Sequence, residues 1–353
     1  MQGWQRGQDR RAPRPPRPSG PGVRVSAFIE NGGRLDWSRR NDLIAFDRRI
    51  GNDYFEIYTI TPSGTNETCL TCGKKGLPPK SRGNPAWHPS GDYIVFQVQN
   101  NYRGWGSITD YFANPGMGIN NDVWVMDKNG RRFWQLTTVK PRVGGVLHPQ
   151  FSPAGDKLLW SERISTKGPL GSWGEWALRV ADFRITPNGV RIENERLLQP
   201  GVQQRMYESH GFSPDGEQLL FSGNLDPGQD ETGADIYLFN LRTGKLTNLT
   251  QTLTEWDEHA HFSPDGKTIL WMSSKDLPHW RKAGEVLTDY WLMNADGSNK
   301  RRITYFNSQG HDEYIPEGVS AADAAWSPDG TRIAAYLLTD VKKGGKNVMI
   351  DMR

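Results

Sequence analysis

Five of the seven histidines, His88, His148, His210, His259 and His261, lie in or a few residues ahead of a short phrase that recurs along the chain. Three residues before the aromatic residue that opens each copy stand Arg34, Asn84, His148, Ser209, His259 and Asp323. All six are polar, a selection that core packing alone would not make. Imidazole nitrogens and carboxylate oxygens are donors suited to divalent cations. His148, His259, His261 and Asp323 are therefore the candidate ligands of a divalent metal, set against the plainer reading of a polar channel filled with water. No catalytic residue is assigned. The sequence holds no Gly-x-Ser-x-Gly elbow and no glycine-rich phosphate loop. Asp226, Asp230 and Asp235 miss the spacing of a calcium loop. Cys69-Leu70-Thr71-Cys72 lacks the two further ligands of a zinc site and reads as a local disulfide or a pair of thiols at a strand end.

The phrase itself is a hairpin turn. Its fullest copies are Phe212-Ser213-Pro214-Asp215-Gly216, Phe262-Ser263-Pro264-Asp265-Gly266 and Trp326-Ser327-Pro328-Asp329-Gly330. Phe151-Ser152-Pro153-Ala154-Gly155 and Trp87-His88-Pro89-Ser90-Gly91 are altered copies, and the copy from Trp37 to Asp42 is eroded. Proline presets the first turn position, aspartate bonds nearby backbone and glycine supplies a positive φ. An apolar run follows each copy, such as Thr268-Ile269-Leu270-Trp271, and reads as a buried strand. A second strand pair then follows, joined by Asn129-Gly130, Thr243-Gly244 or Asp296-Gly297. The units end in a Leu-Thr or Ile-Thr pair, as at Leu249-Thr250 and Ile303-Thr304. Six units of four strands predict an all-β, six-bladed β-propeller. The last unit supplies only three strands, so Val23–Glu30 is expected to close the ring beside Asn347–Met352. The expected blades span about 31–75, 82–140, 146–200, 207–252, 257–307 and 321–353, with the closing strand at 23–30 and an extended arm at 1–22.

These phrases resemble the WD40-like PD40 repeats of TolB-type propellers over nearly the whole chain. The resemblance implies the propeller fold, and a location in the cell envelope or periplasm, peripheral to the membrane. No leader is visible in the sequence, so a cytoplasmic location stays open. The related oligogalacturonate lyases use a histidine-rich metal site, which is what the resemblance adds to the reading of His259-Ala260-His261.

Charge is uneven. Residues 1–22 carry five arginines against Asp9, a charge of +4, which leaves the body of the chain at −1 of the overall +3. A nearly neutral body argues against nucleic acid as a partner. No apolar run is long enough to span a membrane as a helix. The arm, rich in Arg and Pro, suits extended chain docking on an acidic partner or on anionic lipid. Long insertions at 97–121, 161–175, 222–234 and 273–288 fall between second and third strands, and the segments joining units are long too, notably 306–321, whereas first-to-second and most third-to-fourth turns are tight. One face is thus elaborated and the other trimmed, and function is expected on the elaborated face. Tyr102, Trp105, Tyr111, Phe112, Trp173, Trp280 and Tyr314 lie in or beside these loops. With Arg6, Arg10, Arg11, Arg14 and Arg17 they form the expected protein-binding set.

The leading expectation is a non-catalytic scaffold, an extrinsic subunit of a membrane-associated complex that binds other subunits through this face and the arm and needs no cofactor. No residues follow the ring to form a hydrolase domain, which counts against a peptidase. The alternative is a metal-dependent, polysaccharide-lyase-like enzyme acting on an acidic glycan at the channel mouth, with a divalent metal as its cofactor. A soluble ligand or metal sensor is the third reading.

Overall fold

The computed structural model describes residues 22–51, 54–101, 113–167, 173–202, 206–229, 233–278, 286–340 and 344–352. β1 (Val23–Ile29) precedes six four-stranded antiparallel blades arranged in a ring. Blade one is β2 (Leu35–Trp37), β3 (Ile44–Ile50), β4 (Tyr54–Ile60) and β5 (Thr68–Cys69). Blade two is β6 (Arg82–Trp87), β7 (Tyr93–Gln99), β8 (Asn121–Asp127) and β9 (Phe133–Gln135). Blade three is β10 (Gly145–Phe151), β11 (Lys157–Ser165), β12 (Glu175–Thr186) and β13 (Gly189–Leu198). Blade four is β14 (Tyr207–Phe212), β15 (Gln218–Gly223), β16 (Asp235–Asn240) and β17 (Leu246–Asn248). Blade five is β18 (Asp257–Phe262), β19 (Thr268–Ser273), β20 (Asp289–Asn294) and β21 (Arg301–Arg302). Blade six has β22 (Ser320–Trp326), β23 (Arg332–Asp340) and β24 (Gly344–Met352), and takes β1 as its fourth strand. Val23 pairs with Met352 and Ile29 with Asn347, so the amino-terminal strand closes the ring as expected. Closure leaves no open seam between first and last blades.

The recurring phrase does more than turn the chain. In blade five the Ser263 hydroxyl donates to Asp265 Oδ1 at 2.7 Å, and that oxygen also accepts from the Lys267 amide at 3.1 Å. The Thr268 amide donates to Ser263 Oγ at 3.1 Å. Gly266 sits at φ +72°, and a Cβ there would lie 2.8 Å from Pro214 Cγ of the preceding blade. Proline and glycine of neighbouring copies thus interlock, and a belt of turns joins blade to blade. The altered copies keep the belt by other means. Ala154 cannot accept, and Ser152 donates instead to Asp156 at 2.9 Å. His88 takes the serine position, with Nδ1 2.9 Å from Ser90 Oγ and Nε2 3.0 Å from the Gly155 carbonyl of the next blade. This histidine is structural.

The Leu-Thr and Ile-Thr pairs also acquire a physical reason. Thr250 Oγ1 accepts from the Ile236 amide at 3.0 Å and donates to Asp235 at 2.7 Å. Thr304 does the same with the Tyr290 amide (2.9 Å) and Asp289 (3.0 Å), and Thr137 with the Val123 amide (2.8 Å) and Asp122 (3.2 Å). In blade one Thr71 serves Ile57 and Glu56. Each threonine latches a short outer strand to the third strand, where a ladder of two or three residues would hold poorly. The apolar core runs between blades. One cluster, for example, joins Val95 and Val125 of blade two to Leu158 and Trp160 of blade three. Cys69 and Cys72 form a disulfide at the end of blade one.

Candidate functional site

The innermost strands β6, β10, β14, β18 and β22 each carry a bulge at the polar column. At this position Asn84, His148 and His259 adopt left-handed backbone, with φ of +50°, +46° and +50°. Histidine and asparagine tolerate this region better than most residues, but it still stores strain, which tends to gather at functional sites. In blades one to three the second strand holds the column of the next blade. Asp47 of β3 accepts from the Asn84 amide at 3.0 Å, and Gln97 of β7 accepts from the His148 amide at 3.1 Å. Ser161 of β11 accepts from the Ser209 amide at 2.7 Å, and the Ser209 hydroxyl donates to the His148 carbonyl at 3.0 Å.

The bulges bring His148, Glu208, His210, Glu258, His259 and Asp323 together inside the channel, all buried. His148 Nε2 lies 3.0 Å from Glu208 Oε1, and its Nδ1 lies 3.4 Å from Asp323 Oδ1. The same Asp323 oxygen lies 3.4 Å from His259 Nδ1, and Glu258 Oε2 lies 3.9 Å from His259 Nε2. The His210 ring centroid is 5.7 Å from that of His259, and its Nε2 bonds Ser222 Oγ at 2.6 Å. Burial alone would lower the His148 pKa, but Glu208 and Asp323 overrule it and push it up to about 10. Burial would raise Glu208, yet the His148 charge brings it down to about 2. Asp323 is likewise held well below the carboxylate range by His259 and His148 against its burial. Glu258 is pushed up by burial and by Glu208 beside it. Burial lowers His210, and it lowers His261 to about 4, so both are neutral imidazoles at pH 7.

Carboxylates and imidazoles therefore meet in one buried space, the donor types that a divalent cation takes. His148, Glu208 and His259 each place a ligand atom within 4.8 Å of the others. Buried imidazole nitrogens beside carboxylates fit a divalent ion that takes nitrogen and oxygen donors.

Of the sequence-expected ligands, the structure brings His148, His259 and Asp323 together. His261 points instead toward the trimmed face, its ring 6.4 Å from His210. The sequence reading missed Glu208 and Glu258. The signal was present one residue earlier, where four blades carry Gly33, Gly83, Leu147 and Ala322 but blades four and five carry glutamate. Of the expected protein-binding residues, Arg6, Arg10, Arg11, Arg14, Arg17, Tyr102, Trp105, Tyr111, Phe112 and Trp280 lie outside the described residues. Trp173 folds back on blade three, stacked on Trp176 at 5.1 Å, with its carbonyl accepting from Arg163 and from the Trp176 indole. Tyr314 is partly buried.

No family model matches the chain. Among curated proteins it is 30% identical over 122 residues to dipeptidyl-peptidase 5 of Porphyromonas gingivalis, a match covering 31% of this chain and 18% of that protein. The match to dipeptidyl-peptidase 5 of Porphyromonas endodontalis, also 30% identical, covers 35% and 19%. The chain thus spans about a fifth of the curated relatives it matches. A solved TolB structure from Agrobacterium tumefaciens superposes with a TM-score of 0.57 at 14% identity, covering 94% of this chain and 98% of that one. Oligogalacturonate lyase from Vibrio parahaemolyticus superposes with a TM-score of 0.51 at 10% identity, covering 94% and 97%. These comparisons correct the expectation of a protein without enzymatic character, because the curated relatives are named as peptidases and a similar fold is a lyase. The chain has the six-bladed fold of the TolB-like propellers.

Proposed function

We propose that the chain is a metal-dependent enzyme whose centre is the His148–Glu208–His259 cluster, completed by Asp323. The observation that carries this reading is the convergence of buried imidazoles and carboxylates from four blades, with His148 and His259 at left-handed backbone. A divalent ion there would polarise a substrate oxygen. His148 and His259 would hold it with nitrogen and Glu208 with oxygen, while Asp323 orients both rings. Glu258, 3.9 Å from His259 Nε2, and His210, bonded to Ser222, stand beside these ligands as the groups that would move a proton. Arg34 lies over the Tyr336 and Phe55 rings with its Nη1 3.6 Å from the buried Asp47 Oδ2, so its charge is already matched within the protein. An acidic glycan is the substrate class we propose, because a protein of similar fold is an oligogalacturonate lyase. The disulfide supports an oxidising compartment such as the cell envelope.

The experiment is elemental analysis of protein purified without chelator, paired with an assay on oligouronides. Stoichiometric divalent metal and turnover that stops on chelation are the expected results. Protein free of metal would end this reading, and a loaded protein inert on oligouronides would end the choice of substrate.

A further inference from the structure

The inner strands end, on the face of the tight turns, in a ring of six aromatic residues, one from each blade: Trp37, Trp87, Phe151, Phe212, Phe262 and Trp326. They line a cavity of about 170 Å³ whose lining includes His210 and His261 but none of His148, Glu208, His259 and Asp323. Two charged side chains face the cavity. Asp36 is partly buried on β2, and its Oδ2 accepts from the Trp87 amide at 2.6 Å. Arg39 lies at the exposed rim and, among the described residues, has no ion-pair partner. The lining of one aromatic space thus carries one negative and one positive side chain. His88 is spent on Ser90 and Gly155, and burial lowers its pKa, so it adds no charge at pH 7.

We propose that this cavity binds a free α-amino acid with an apolar or aromatic side chain. The ammonium group meets Asp36 among ring faces that themselves attract a cation. The carboxylate meets Arg39 at the rim, where its planar guanidinium suits two oxygens. The side chain packs against the aromatic ring, where offset or edge-on contacts add to burial. The volume matches one residue, so a longer peptide would leave its remainder outside. A ligand with only one charge would leave either Asp36 or Arg39 without its complement, and this separates the zwitterion from a simple cation or a simple acid.

The test is calorimetric titration of the full chain with L-phenylalanine, phenethylamine and 3-phenylpropionate. L-phenylalanine should bind saturably, and each analogue lacking one charge should bind at least about tenfold more weakly. Asp36→Asn and Arg39→Gln should each weaken L-phenylalanine by a similar factor. Asparagine can still accept from the Trp87 amide, and Arg39 is exposed, so both variants should stay folded. His259→Asn should leave this affinity unchanged, which keeps the outcome separate from that of the metal centre. Absence of saturable binding would overturn the proposal. So would equal affinity for phenethylamine, or binding indifferent to both substitutions.

Discussion

The belt of turns and the polar column lie three residues apart on the same inner strands, yet they have been built on opposite rules. In the belt the same residues return in blade after blade. Where one is lost, a neighbour restores the bond, as Asp156 does for Ala154 and His88 does for a serine. In the column no two neighbouring blades agree: Arg34, Asn84, His148, Ser209, His259 and Asp323 follow one another at equivalent backbone positions. The belt repeats because each copy must fit the next copy's glycine, which is a packing constraint. The column varies because each blade contributes a different atom to one shared space. Stability should therefore reside in the first and chemistry in the second.

Gly266→Val tests the belt and should have the largest effect. A β-branched residue at φ +72°, with its Cβ 2.8 Å from Pro214, should cost about 2–3 kcal/mol. Chemical denaturation reads this directly, and an unchanged midpoint would mean that the turns do not hold the blades together. Gln97→Leu falls between the two regions. It orphans the His148 amide and should cost about 1–2 kcal/mol. Because that amide fixes the left-handed His148, the variant should also lose metal affinity, measured by competition with a chromophoric chelator.

His259→Asn tests the column. Asparagine already occupies the equivalent position in blade two at φ +50°. The variant should fold within about 1 kcal/mol of the parent while losing a ligand. A severe loss of stability here would erase the contrast with the belt. The smallest effect concerns pH. Burial raises Asp36 from 3.8 to about 6, with Arg39 the charged group that opposes this. The folded state then holds a proton that the unfolded chain has released, so this residue's contribution to stability falls as pH rises from about 4 to 6. Asp36→Asn should flatten that segment of the profile of melting temperature against pH.

The fold was legible because its signal is a repeat of local turn chemistry, and such chemistry survives without tertiary information. Even the closing strand could be counted out, since blade six ran short by one. The column was legible as polarity, but Glu208 and Glu258 were not. Alternation along a strand places residues 258 and 259 on opposite faces. The bulge between Glu258 and His261 turns both into the channel, and no residue type in the sequence announces it. The aromatic ring was not legible for a related reason. Each ring belongs to a turn phrase, and only closure of the circle brings the six around one space. Function was expected on the face of long loops, most of whose named residues lie outside the described ones, and the cluster proposed as the centre lies in the channel.

The central claim is that the column is a metal centre on a scaffold that does not need it to fold. Elemental analysis by mass spectrometry of the parent and of His259→Asn, both purified without chelator and both checked by thermal melting, tests it most directly. The account predicts one divalent ion per chain in the parent and a large loss of that ion in a variant that melts almost as the parent does. A parent without bound metal, or a variant that retains the full complement, would contradict it.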